Sequence, residues 1–215
     1  MKWRFLIIAA MLMLLGNVQN HKELTDLAIV SSIALDKAED DGYYDVSVQV
    51  VNSKKGSGSE TGGSNDPEIT IYNAKASTIQ EALRLITKES PKKLHLANLE
   101  MLVICEDLAR DGIDNILDFF LRNTDANNEF YIVISSGENK AKEVISILTP
   151  IEKNPTISLK NSLETYADRQ GAAIKTTASY ALDELMKKYK EMVLSSAEIV
   201  GDAKKGKERK INRKF

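Results

Sequence analysis

Cysteine and histidine are nearly absent from these 215 residues: Cys105 stands alone, and His21 and His95 are the only histidines. A single cysteine excludes an internal disulfide framework and a zinc site built from cysteines. The two histidines lie in different segments, without the spacing that places two imidazoles on one helix face for a metal. Neither sign of charge dominates, since 29 basic residues meet 31 acidic ones for a net charge of −2. That balance argues against bulk binding of nucleic acid. No G-x-S-x-G elbow, H-E-x-x-H pair or dinucleotide fingerprint occurs. Long apolar runs are missing too. The longest, Phe5 to Leu15, has eleven residues, short of the roughly 20 that a spanning helix needs.

What is present first is a leader-like start. Lys2 and Arg4 precede that apolar run, which has no polar face, so residues 1–19 read as a signal-like or membrane-tether segment and not as an amphipathic core helix. The length and the apolar content of 43% suit one domain with a good core, or one domain and part of another.

Periodicity then places the elements. "LAIVSSIAL" (Leu27 to Leu35) and the alternating Tyr44, Val46, Val48 and Val50 predict two strands joined by an acidic turn. "EITIYNA" (Glu68 to Ala74) predicts a third. Ser77 with Gln80, and Thr78 with Glu81, are capping-box patterns ahead of a helix whose Ile79, Ala82, Leu83 and Ile86 form one apolar face. The uninterrupted runs "MLVIC" (Met101 to Cys105) and "FYIVI" (Phe130 to Ile134) predict inner strands covered on both sides. Helices are expected over about 108–121, 138–148, 157–169 and 176–194, the last with Ala181, Leu185, Tyr189 and Met192 on one face. The fold class is therefore α+β: a mixed α/β sheet with helices packed over it, followed by a helical C-terminal segment. The division expected is 1–19, then a domain over 20–165, then a helical segment and basic tail over 166–215.

Chemistry-bearing groups are few. Glu39, Asp40 and Asp41 lack the alternating spacing of a calcium loop and read as a solvated turn. The stretch 53–67, "SKKGSGSETGGSNDP", is glycine-rich, but no Lys-Ser/Thr pair and no helix follow its last glycine, so it reads as a surface loop and not a phosphate cradle. His95 reads as structural. Cys105 ends an apolar strand, where a thiol behaves as a small hydrophobe. Asp107, Asp111 and Asp114 read as helix N-terminal charges. No catalytic, cofactor-binding or metal-ligating residue is assigned, no cofactor is expected, and the chain is read as a non-enzyme. The tail "KKGKERKINRKF" carries seven basic residues and one acid, and reads as a frayed, solvated end.

Taken in order, "HKELTDLAIVSSIALDK", "YYDVSVQVVN", "ITIYNAKASTIQEALRLITKESPKKLHLANLEMLVICEDLARDGIDNILDFFLRN" and "FYIVISSGENKAKEVISILTPIEKNP" resemble the C subunits of spore germinant receptors, the Ger(x)C lipoprotein family. The resemblance covers roughly Asn20 to Glu164. It implies a non-catalytic receptor subunit on the outer face of the spore inner membrane, acting in assembly or signal relay. The partners it implies are two integral membrane subunits and the membrane surface, without nucleic acid. The sequence departs from the family pattern at Val18, where the lipid-accepting cysteine is expected, and at Asn17, where a glycine is expected. It is also shorter than family members, as a truncated or degenerate copy would be. The competing expectation is an exported small-ligand-binding domain or hydrolase, which would need a concave pocket with convergent polar groups at the strand ends.

Overall fold

The structure, a computed structural model, describes residues 27–40, 42–51, 69–137, 139–147, 152, 154–187, 192–200 and 208–214; of residue 200 and residues 208–214 it describes the backbone only. The leader-like segment, Val18 and the glycine-rich loop lie outside the described residues.

Eight strands form one mixed sheet: β1 (Leu27–Lys37), β2 (Tyr44–Val51), β3 (Ile69–Ala76), β4 (Lys93–His95), β5 (Met101–Cys105), β6 (Tyr131–Ser135), β7 (Leu194–Val200) and β8 (Glu208–Lys214). Their order is β3-β2-β1-β5-β6-β7-β8, with the short β4 also paired to β1. β1, β5, β6 and β7 run parallel, while β2 and β3 on one side and β8 on the other are antiparallel to their neighbours. The expected inner strands are indeed central. Val103 and Ile132 are wholly buried.

The alternation of side chains across β5 and β6 divides the core in two. Leu102, Ile104, Ile132 and Ile134 point into a cluster with Ile86, Leu117 and Phe120, whereas Met101, Val103 and Val133 point into one with Val144, Ile145, Leu159 and Leu163. Helices α1 (Ile79–Glu89), α2 (Glu106–Asp111), α3 (Asp114–Arg122) and α6 (Ala178–Leu185) contribute to the first cluster; α4 (Ala141–Ser146) and α5 (Pro155–Thr165) to the second. Covering both faces is what allows strands as apolar as these to exist in water.

α1 forms where its caps and face predict. The Thr78 hydroxyl accepts the Glu81 amide at 3.2 Å, and Ile79, Ala82, Leu83 and Ile86 are all buried. Burying each large aliphatic side chain contributes about 1.5–3 kcal/mol.

Three expectations need correction. The single helix over 108–121 is two helices, α2 and α3, because Gly112 caps α2 with φ of +110°, a conformation costly for any residue with a Cβ. The helix expected over 176–194 ends at Leu185, and Leu194 opens strand β7. Pairing of Ser195–Ala197 with Val133–Ser135 on the free edge of β6 outweighs the helical periodicity. The tail, expected to be frayed, forms β8 along β7 from Glu208 to Lys214.

Candidate functional site

Two depressions offer places for chemistry. The first is a hollow of about 330 Å³ at the carboxyl ends of β1, β5 and β6, bordered by Asp36, Cys105, Arg110, Gly137 and Lys140. In open α/β sheets this is where ligands settle, so each polar group there deserves an account of what it holds.

Asp36 is buried, and its carboxylate accepts the amides of Ala141 at 2.7 Å and Lys142 at 2.9 Å, the first two N–H groups of α4. It thus caps, from across the fold, a helix whose own N-cap residue, Lys140, has no side chain able to accept. Burial pushes the Asp36 carboxyl above its ordinary range, against the pull of those two amides. Lys37 is paired with Asp111 at 2.9 Å, and Arg110 with Glu106 at 2.7 Å. Asn139 donates to the Ser136 carbonyl at 3.3 Å, while its own carbonyl accepts from the Ser135 hydroxyl. Cys105 is half-buried, and burial pushes its thiol up, away from the thiolate that a nucleophile needs. The hollow therefore gathers chemistry-bearing groups, but most of them already have partners, and Asp36 is built into the fold. Of the polar groups lining it, Asp36, Lys37, Glu106, Arg110 and Asn139 have partners, while Asp107 and Lys140 have no side-chain hydrogen bond or ion pair among the described residues.

The second depression is larger. A groove of about 1180 Å³ runs between α1 and α3 and ends at β4. Its floor is the edge of the core: Ile79, Leu83, Leu94 and Leu96 line it but are each no more than 9% exposed, and the half-buried Phe119 of α3 is the most accessible of the five. The Phe119 ring rests edge-on against Phe120, with centroids 5.0 Å apart, which fixes it in place. The rim is charged. Arg84 and Lys88, one helical turn apart on α1, and Lys93 at the start of β4 stand on it, and none makes a hydrogen bond or ion pair through its side chain among the described residues. Arg122 is on the opposite rim and is paired with Asp118 at 2.8 Å. Asp125 is the other acid lining the groove.

The residues weighed from sequence are scattered. His95 ends β4, Cys105 ends β5, Asp111 closes α2 and Asp114 opens α3. Among the described residues, no three His, Cys, Asp or Glu side chains stand together as a metal set, and no helix is long and apolar enough to cross a membrane. Sequence reasoning missed the cations of the groove rim. Their signal was the i, i+4 pair Arg84 and Lys88 on α1, which reads in sequence as an ordinary solvated face. It also missed a buried polar chain: the Thr156 hydroxyl donates to Ser32 at 2.9 Å, Ser32 to the Gln49 amide oxygen at 3.4 Å, and Gln49 to Asn154 at 2.9 Å. Asn154 also caps α5, so this chain locks that helix onto the sheet.

Residues 20–199 match the family model described as the spore germination protein N-terminal domain. The chain belongs to this family, that of the germinant receptor C subunits. It is 31% identical to spore germination protein KC of Bacillus subtilis over 207 residues, 93% of this chain and 50% of that protein. It is 29% identical to the putative spore germination protein YfkR of the same organism over 149 residues, 66% of this chain and 37% of the relative. Spore germination protein GerQC of Bacillus cereus is 29% identical over 98 residues, 41% of this chain and 27% of the relative. The chain thus spans about half the length of the first of these relatives, and less of the others. No solved structure matches it.

Proposed function

We propose that this chain is a non-catalytic subunit of a spore nutrient germinant receptor. It acts in receptor assembly or signal relay at the outer face of the spore inner membrane, beside two integral membrane subunits. The observation that carries this reading is the family match across residues 20–199. The engaged polar groups of the strand-end hollow support it, because a hydrolase or small-ligand binder would keep such groups free. Anchoring by lipid lacks its acceptor, since Val18 has no thiol to take a diacylglyceryl group. The apolar run Phe5 to Leu15, with eleven residues against the roughly 20 that span a bilayer, would instead hold the chain weakly.

The test is fractionation of spores carrying a tagged copy, with solubilised membranes resolved by native electrophoresis. The tagged chain is expected to migrate with the membrane subunits. It should take no fatty-acid label, whereas a Val18→Cys, Asn17→Gly double variant should take the label and fractionate more firmly with membranes. A tagged chain that stays with the soluble fraction and never meets the membrane subunits defeats the reading.

A further inference from the structure

We infer that the groove between α1 and α3 is a docking site for an acidic amphipathic helix of a partner protein. This deepens the assembly reading above and rests on it. Shape gives the first argument. At about 1180 Å³ the groove exceeds the range of roughly 300–1,000 Å³ typical of small-molecule pockets, and it is an open trough rather than a closed cavity. Its walls are two helices, and the lining face of α1 from Ile79 to Lys88 is about 14 Å long, so about ten residues of a third helix lie along it. An apolar floor between helical walls is how one helix receives the i, i+3, i+4 and i+7 anchors of another.

Charge gives the second argument. Arg84, Lys88, Lys93 and Arg122 face only Asp118 and Asp125 around the groove, an excess of two positive charges on a chain whose net charge is −2. Three of these cations lack an ion pair among the described residues. A concave surface floored by Phe119 and the edges of Leu83 and Leu94, and edged by unpaired cations, is complementary to a helix with leucine-like anchors and carboxylates beside them. A membrane surface fits less well, since its flat plane meets the rim but leaves Leu83, Leu94 and Leu96 out of reach below it.

The test uses the full chain in non-ionic detergent and a fluorescent synthetic helix of about 14 residues, with leucines at i, i+3, i+4 and i+7 and glutamates on the flanks. Controls are the same composition scrambled and the same pattern with lysine for glutamate. The acidic amphipathic peptide is expected to bind and the controls to fail. Affinity should fall with added salt and fall about tenfold or more in the double variant Arg84→Glu, Lys88→Glu. The milder double variant Arg84→Gln, Lys88→Gln should lie between, and circular dichroism melting should show both folded like the parent. Equal binding of the lysine peptide, an unchanged affinity in the charge-reversed variant, or no binding of the acidic peptide overturns the proposal. So does a different pattern: phosphatidylglycerol vesicles that bind through Arg84 and Lys88 while the peptide does not. In spores, the charge-reversed variant should lose migration with the membrane subunits. If it migrates as the parent does, the groove is not the contact and the assembly reading stands. If the unaltered chain does not migrate with them, the assembly reading falls while peptide binding still decides the groove.

Discussion

The strand-end hollow and the interhelical groove invert what their residue types suggest. The hollow has the richer chemistry: a buried carboxylate, a thiol, an arginine and two lysines at the carboxyl ends of parallel strands. Yet Asp36 is spent on capping α4, Lys37 on Asp111 and Arg110 on Glu106. The groove has ordinary residues, but Arg84, Lys88 and Lys93 have no ion pair among the described residues and an apolar floor lies below them. What matters for binding is not which groups are present but which have interactions left to make. Asp36, already desolvated and satisfied by two amides, has little to gain from a ligand.

The largest effect that bears on this contrast lies beneath the hollow. Val103 is wholly buried on the strand that ends at Cys105, and Val103→Asp would place an unpaired charge in the core. A loss of several kcal/mol is expected in urea or guanidinium unfolding. A folded, scarcely weakened variant would show that β5 is not the inner strand described.

Next comes Asp36. Asp36→Ala leaves two amides at the start of α4 without their acceptor and should cost about 1–3 kcal/mol. Its pH dependence has a definite sign. Because burial raises the carboxyl pKa above its ordinary 3.8, the folded state binds this proton more tightly than the unfolded one. The stabilising contribution is therefore full below that ordinary value and is lost as pH rises through the raised one. Relative to Asp36→Asn, which cannot titrate, the parent should lose stability as pH rises from about 3.8 through that window. Parallel profiles for the two proteins, from urea midpoints at several pH values, would mean that the carboxyl is not perturbed by its site.

Smaller still is the response of Cys105. With burial holding its thiol protonated, alkylation by iodoacetamide near neutral pH should be slow in the native chain and rise to the rate of an ordinary thiol in denaturant. Rapid labelling of native protein would reopen the hollow as a reactive site. The smallest expected change is the stability of the double variant Arg84→Glu, Lys88→Glu. Two exposed, unpaired side chains should alter unfolding by no more than about 0.5 kcal/mol. A larger loss would mean that the groove cations hold the fold.

Local sequence alone determined the elements whose causes are local. The Thr78 cap and the apolar face of α1 were legible because their spacing is that of a single turn of helix. β5 and β6 were legible because "MLVIC" and "FYIVI" are uninterrupted runs without the apolar–polar alternation of a half-buried strand, which implies cover on both faces. The break at Gly112 is masked in sequence, because the apolar spacing of Ile113, Ile116, Leu117 and Phe120 runs on past it.

Only the tertiary structure decided the rest, because it depends on partners distant in the chain. Whether Leu194–Val200 is helix or strand was set by the exposed backbone edge of β6, some sixty residues earlier in the chain, whose amides and carbonyls need partners. The role of Asp36 was set by α4 arriving 105 residues later with its first amides open. The groove exists because α1 and α3 pack side by side on one face of the sheet, turning two unremarkable solvated faces into one concave, positively charged surface. Periodicity records which side of an element is buried, but not which other element lies next to it, and concavity and charge excess arise only from that adjacency.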